Sequence, residues 1–431
     1  MKLLLSALQW VFFIIASTIV VPIAIGQLYE LDGAQTAVLI QSTLFVLGLA
    51  GLMQVLFGHK LPINEGPAGL WWGVYSIYAG LSSTLFASFI DTLQNLQGAL
   101  IMSGGFFLLF ALLGLVDKLA KLFTPLVTGT YLLLLVFQLS GSIVKGIMGV
   151  GYRGSKADPA VFAAAAAILL FTFFLSRMKR PFFKQYSILI GLLAGWGVFA
   201  LLGLAKPVKG TADWFAFPVL FPFGVPVFNA GMIVTAFFIT LLLIANMLAS
   251  IKVAEQAVRA LGGGDAEIPG RGKRASIFAG LSHGISGLTG AVGPVPISGA
   301  AGFITTTGNG AKRPFILANL LVIVMSMIPL ILNLFAALPA PVGFAVQFVV
   351  FSGMIGMALR QLNETQDKDR MLYTMGIALL AGTGAMYVPP EAFTGFPPVL
   401  ISIFNNGLIL GTILAIIVDQ LTLKFGKKAN G

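Results

Sequence analysis

The chain has no cysteine, only two histidines, and charged residues at just 10% of its 431 positions, against 58% hydrophobic. The missing cysteines exclude disulfides, thiolate metal centres and cysteine nucleophiles together, and they leave the redox compartment unreadable. Two histidines are too few for a credible Ser/His/acid set, and no His, Asp and Glu residues share metal-ligand spacing, so neither an enzyme nor a cofactor is expected. Gly262-Gly263-Gly264-Asp265 reads as a flexible inner loop, because the lysine and flanking strand of a phosphate cradle are absent. So little charge also leaves too few polar groups for a soluble protein of this length.

What the chain does have is long apolar runs, several near or above the roughly 20 residues that cross a bilayer as helix. Runs such as Ala160 to Ser176 do not alternate, which excludes a membrane β-barrel. An all-α integral membrane protein is expected, with fourteen segments near 5–26, 35–57, 61–80, 94–116, 122–145, 158–177, 186–205, 229–253, 275–292, 294–308, 314–337, 341–361, 370–389 and 397–422. The first is read as a span, since its apolar stretch exceeds a secretory leader's core and no clear cleavage site follows.

The net charge of +11 is distributed by topology. With a cytoplasmic N-terminus, all but Lys145, Arg153, Lys156, Lys206 and Lys209 of the 26 lysines and arginines fall on the inner side. That asymmetry favours both termini in the cytoplasm of a multi-pass protein of the cell membrane. Because the excess is spread over many short loops, it argues against a nucleic-acid partner.

Two of the segments, the third and the tenth, are short and broken by proline and glycine: Leu61-Pro62-Ile63-Asn64-Glu65-Gly66-Pro67-Ala68-Gly69 and Gly293-Pro294-Val295-Pro296-Ile297-Ser298-Gly299-Ala300-Ala301-Gly302. Non-helical backbone at bilayer depth survives only where protein buries it or where it lines a cavity, and a matched pair of breaks points to a transporter's binding site. Seven segments followed by seven more make the second half enter the membrane in the opposite sense, so a 7+7 inverted repeat is expected. The echo of Phe123-Thr124-Pro125-Leu126-Val127-Thr128-Gly129 in Leu338-Pro339-Ala340-Pro341-Val342-Gly343 falls at matching places in the two halves.

Pro67 reads as the start of a half-helix running toward Trp71 and Tyr75, since a first-turn proline loses no helical hydrogen bond. Ser298 is the expected N-cap of a second half-helix. Two such N-termini meeting in one cavity would offer unpaired N–H groups and partial positive charge to a ligand.

Leu122-Phe123-Thr124-Pro125-Leu126-Val127-Thr128-Gly129-Thr130, Pro339-Ala340-Pro341-Val342 and Ile403-Phe404-Asn405-Asn406-Gly407 with Gly411-Thr412 resemble the fifth, twelfth and last spans of the nucleobase-ascorbate transporters. That family, also called the nucleobase/cation symporters, includes uracil, xanthine and uric acid permeases. Leu8-Gln9-Trp10 with Val20-Val21-Pro22 resembles its first span, with tryptophan where its usual Gln-His pair has histidine. Gly302, Thr307 and Gly308 fit the tail of the family's tenth-segment signature, while Gly299 and Ala300 stand where its acid or Gln and its Asn belong, with a register open by one residue at Ser298. In segment eight Asn246 stands where the family carries a glutamate.

The resemblance implies four parts: core residues 1–117, gate residues 118–228, core residues 229–338 and gate residues 339–431. It also implies dimerisation through the gate and alternating access. The function it implies is uptake of a purine or pyrimidine nucleobase coupled to a cation, with the proton as first candidate. The alternatives are a small-anion transporter of the related sulfate and bicarbonate fold, which usually carries a large soluble C-terminal domain, and a channel or non-transporting sensor.

On this reading Ala68, Gly69, Ser298, Gly299 and Ala300 contribute to the substrate site, Asn246 pairs with the base edge, and Ser250 faces the same cavity one turn on. Trp71, Tyr75 or Phe303 would supply an aromatic face. Glu65, the only acid at a broken segment, is the candidate proton carrier. The plainer readings are that Glu65 sits in the inner vestibule, that Asn246 ties two helices together, that Lys252 and Glu255 form an ion pair, and that His283 is packed and hydrogen-bonded.

Overall fold

The computed structural model describes residues 2–208, 213–262, 270–393 and 396–429; Gly263, Gly264 and Asp265 of the glycine loop lie outside them. In chain order the elements are α1 (Lys2–Thr18), α2 (Val20–Leu28), α3 (Gly33–Leu56), β1 (Glu65–Pro67), α4 (Gly69–Gly80), α5 (Ser82–Leu85), α6 (Phe89–Leu112), α7 (Val116–Ala120), α8 (Pro125–Ile147), α9 (Pro159–Arg177), α10 (Pro181–Gln185) and α11 (Ser187–Leu201). The second half continues with α12 (Ala230–Ala260), α13 (Arg271–Thr289), β2 (Pro294–Pro296), α14 (Gly299–Thr307), α15 (Lys312–Ser326), α16 (Pro329–Ala336), α17 (Ala340–Asn363), α18 (Lys368–Tyr387), α19 (Pro398–Phe404) and α20 (Gly407–Ala429).

Among the described residues eight helices or continuous helix pairs are long and apolar enough to cross a membrane, and a ninth arises if α15 and α16, bent by 84° at Pro329, count as one span. Each apolar segment read from the sequence falls on one of these elements or on a consecutive pair. The third and tenth fall on a strand followed by a short helix.

Polar side chains start many of the long helices. Asp32 and Gln35 form a reciprocal capping box on α3, Thr124 caps α8 just before Pro125, Asp158 caps α9 just before Pro159, and Asn229 caps α12. Each satisfies first-turn N–H groups that would otherwise lack a partner.

Two sets of neighbours emerge in the packing. Helix α6 packs on α13 and α12, α3 on α15, α13 and α16, and α1 on α15; α8 packs on α17, α18 and α20, and α9 on α11 and α17. The α6–α13 contact is close because a Cβ on Gly104 would stand 2.6 Å from the Gly280 carbonyl, and one on Gly280 would stand 2.8 Å from the Gly104 carbonyl. Backbone meets backbone there, which explains the small residues of α13 as a packing device.

Candidate functional site

The two broken segments meet. Strands β1 and β2 pair antiparallel with Glu65 opposite Pro296, Gly66 opposite Val295 and Pro67 opposite Pro294. The pairing extends one residue at each end, through Ala68 N–H to the Gly293 carbonyl (2.9 Å) and Ile297 N–H to the Asn64 carbonyl (3.0 Å). Antiparallel pairs alternate between hydrogen-bonded and non-bonded positions. All three prolines of the ribbon fall at non-bonded positions, where a missing N–H costs no hydrogen bond. A sequence that would destroy an ordinary central strand is therefore compatible with this one.

The ribbon delivers the starts of α4 and α14 to one place. In contrast to α3, α8, α9 and α12, neither start has a side-chain cap: Ala68 offers none, and Ser298 has helical backbone angles and makes no capping hydrogen bond. The expectation that Ser298 caps the second half-helix is corrected. Its backbone has already turned into the helix, and a 3₁₀-like turn closes there instead, with Ala300 N–H bonding the Ile297 carbonyl and Ala301 N–H the Ser298 carbonyl.

The two starts differ in exposure. Ala68 and Ala300 are buried, Gly69 and Ser298 half-buried, and Gly299 and Gly302 exposed. Gly69 abuts α8 and α17, since a Cβ there would meet Leu135 at 3.6 Å and Phe351 at 4.0 Å. Helix α12 runs beside α4, β2 and α14, and it carries Asn246 and Ser250. Asn246 is half-buried and its side chain makes no hydrogen bond among the described residues. Ser250 is fully buried and its hydroxyl has no partner. A buried serine in a helix ordinarily bonds the carbonyl one turn back, as Thr240 does on the same helix at 2.6 Å. An open amide and an open hydroxyl one turn apart are thus left beside the ribbon.

Asn64 belongs with them, although no motif or spacing singles it out directly. It is fully buried, its Nδ2 donates to Ser17 Oγ at 3.2 Å, and its Oδ1 has no partner. The only sequence signal is its place next to Glu65 in the break.

The aromatic candidates are enclosed. Trp71 and Trp72 are both fully buried, the first beside His283 and the second edge-on to Phe351 of α17 at 5.4 Å. Tyr75 is buried, and its carbonyl accepts the Tyr29 hydroxyl at 2.8 Å. Phe303 is 3% exposed and packs on Trp10 (4.2 Å) and Phe13 (4.7 Å), with Phe315 beyond Trp10. Trp10 therefore anchors α1 against α14. The half-buried ring of this cluster is Phe13, whose edge would lie 3.8 Å from a Cβ on Gly299.

Glu65 is 3% exposed, and its Oε1 makes no hydrogen bond but stands 3.7 Å from Nε2 of the fully buried His59. The vestibule reading underestimates this burial. A cavity of about 220 Å³ begins at the next residues of the chain after His59 and is lined by Lys60, Leu61, Glu255, Arg259, Arg271 and Lys312 among others, with neither His59 nor Glu65 in its wall. The expected Lys252–Glu255 pair does not form. Glu255 instead meets Arg259, one turn on in α12, at 2.7 Å and Arg271 of α13 at 3.2 Å, while Lys252 is exposed; two arginines, one local and one tertiary, take the carboxylate. His283 is packed and hydrogen-bonded, with Nδ1 2.9 Å from the Ala279 carbonyl and its ring on Phe107.

Uncapped half-helices joined by a ribbon inside an apolar helical bundle define a polytopic membrane protein of transporter type. The chain belongs to the permease family whose Xan_ur_permease profile matches residues 1–391. It is 52% identical over 434 residues to the putative purine permease YwdJ of Bacillus subtilis, covering 100% of this chain and 98% of that one. It is 26% identical to the uric acid permease PucJ of the same organism, covering 97% and 92% of the two chains. In fold it is similar to the transmembrane domain of the cyanobacterial bicarbonate transporter BicA, with TM-score 0.61 at 16% identity over 97% and 96% of the chains.

Proposed function

We propose that this protein carries a purine or pyrimidine nucleobase across the cell membrane, coupled to the movement of a cation, by alternating access. Its relatives are transporters, and the substrate named for YwdJ, 52% identical, is a purine. The observation that carries the reading is the cluster of unpartnered hydrogen-bonding groups at the ribbon: uncapped helix starts at Gly69 and Gly299, the Asn246 amide and the Ser250 hydroxyl. A planar base has carbonyl oxygens and ring nitrogens for the N–H groups and an imide edge for the amide. Buried polar groups built to pair with such edges reject analogues that lack them.

In this reading Ala68, Gly69, Ser298, Gly299 and Ala300 present backbone, Asn246 and Ser250 read the base edge, and Phe13, seated on the covered Phe303, forms the aromatic wall. Glu65 takes the coupling cation. The fourteen segments cross as a 7+7 inverted repeat with both termini cytoplasmic. Segments 1–4 and 8–11 form the moving core, and 5–7 and 12–14 form the gate through which two copies pair. The two sets of packed helices and the contact of α4 with α8 and, through Trp72 on Phe351, with α17 support this division. Small-anion transport is the competing reading, since uncapped helix N-termini also suit anions.

The test is uptake of radiolabelled nucleobases into proteoliposomes, with unlabelled bases, bicarbonate and sulfate as competitors. Competition by one or a few bases and none by the anions is expected. Displacement by anions alone would transfer the site to the competing reading.

A further inference from the structure

Of the two histidines, His283 is accounted for by packing, whereas His59 is held in place by more contacts than packing needs. Its backbone N–H donates to Gln54 Oε1 at 3.3 Å, and Gln54 is tied across to the Ala275 carbonyl of α13 at 2.9 Å. The next residue, Lys60, has φ +60°, a left-handed conformation that costs a non-glycine residue about 1 kcal/mol. Lys60 N–H bonds the Gln54 carbonyl at 3.0 Å, and Leu61 N–H donates to His59 Nδ1 at 3.1 Å. This turn points the opposite ring nitrogen at Glu65.

We propose that His59 and Glu65 together form the ion-coupling site, with His59 as the positioning donor to the carboxylate; this rests on the reading of the chain as a coupled transporter. The Leu61 N–H occupies the Nδ1 lone pair, so a neutral ring carries its proton on Nε2. That N–H faces Glu65 Oε1 across 3.7 Å, and neither atom has another hydrogen-bond partner. Such a site suits a proton and not a metal cation. A hard cation needs several converging oxygens, and here an N–H donor occupies one side.

A proton needs one carboxylate oxygen. Ionised Glu65 accepts the His59 N–H, which offsets part of the cost of a buried charge. Protonated Glu65 is neutral and releases that bond. In the transport step a proton from water on the entry side adds to the Glu65 carboxylate, and after reorientation it leaves to water in the cavity beside Lys60 and Arg271. His59 keeps its own proton throughout.

The charged groups around the pair are few. Arg271 of α13 acts on His59 from nearby and itself pairs with Glu255 of α12, which also holds Arg259. Lys60 lies in the same turn. Helix α1 beyond Lys2, α3 and β2 carry no ionisable side chain.

The experiment compares wild type with Glu65→Gln, His59→Leu and His59→Gln in proteoliposomes, each first checked for an unchanged thermal midpoint. Glu65→Gln is expected to lose accumulation driven by a pH gradient while keeping counterflow exchange of labelled nucleobase within about twofold. His59→Leu removes a donor to the ionised form, so its uptake profile is expected to move up by about one pH unit. His59→Gln, which keeps an N–H at that reach, is expected to restore most of the wild-type profile. A folded His59→Leu protein with the wild-type pH profile would overturn the proposal, as would accumulation in wild type driven by a sodium gradient alone. Wild-type vesicles that neither accumulate nor exchange any nucleobase would sink the transport reading itself, a distinguishable result.

Discussion

Among the described residues two carboxylates are buried, and they are treated in opposite ways. Asp419, in α20, is fully buried and saturated: Arg370 of α18 brings Nε to 2.8 Å and Nη2 to 2.6 Å of its Oδ1, and the Thr124 hydroxyl reaches Oδ2 at 2.9 Å. Those contacts tie the starts of α8 and α18 to α20. Glu65, in β1, makes no hydrogen bond through Oε1 among the described residues, and His59 Nε2 stands 3.7 Å from that oxygen, beyond hydrogen-bond reach. A charge surrounded by fixed partners is held in place; one left with a single partner beyond hydrogen-bond reach can be gained and lost, which is the role proposed above for Glu65.

The contrast is broken most directly at Asp419. Replacing Arg370 by Leu leaves a buried carboxylate unpaired and is expected to cost about 3–5 kcal/mol, seen as a large fall in the thermal midpoint of the detergent-purified protein. Glu65→Gln is expected to leave that midpoint unchanged or higher. Equal destabilisation by the two substitutions would remove the distinction.

Next in size are the glycines flanking the second break. A Cβ on Gly293 would lie 2.5 Å from Trp71 Cδ1 and 2.8 Å from Leu100 Cδ2, both on buried side chains. Gly293→Ala is therefore expected to cost about 1–3 kcal/mol and to reduce uptake with it. At Gly299 the nearest atoms to a new Cβ are 3.5 and 3.8 Å away, so Gly299→Ala should fold normally and change KM alone.

Asn246→Ala is expected to weaken binding of the true substrate about tenfold, or 1.4 kcal/mol, with no change in thermal midpoint; radioligand binding measures it. If thermal stability falls instead, Asn246 is a helix tie. Ser250→Ala should be the mildest, about a twofold to fivefold loss of affinity, because one neutral hydrogen bond contributes about 0.5–1.5 kcal/mol.

Much of the fold was legible because bilayer crossing demands long apolar stretches, and the breaks announced themselves through Pro67, Pro294 and Pro296. What escaped were contacts between distant segments. Lys252 and Glu255 are close in sequence, but Glu255 turns to Arg259 one turn on and to Arg271, sixteen residues further along the chain. Ser298 has a capping side chain, yet the ribbon enters α14 already helical and gives it nothing to cap. Phe303 looked like a pocket face, and Trp10 of α1 covers it. His59 carried no signal of its own, since nothing local shows that Gln54 and Leu61 aim its ring at Glu65.

The sequence alone determined a polytopic helical membrane protein with two interrupted segments, because hydrophobic length and proline placement are local properties that the solvent enforces residue by residue. Only the tertiary structure decided that the two interruptions pair into one ribbon, which polar groups beside it stay unpartnered, and which buried acid is locked and which is open. The ribbon joins residues more than two hundred positions apart and Asp419 takes its partners from other helices, so hydrogen-bond partners are allotted by geometry and no local pattern records the allotment.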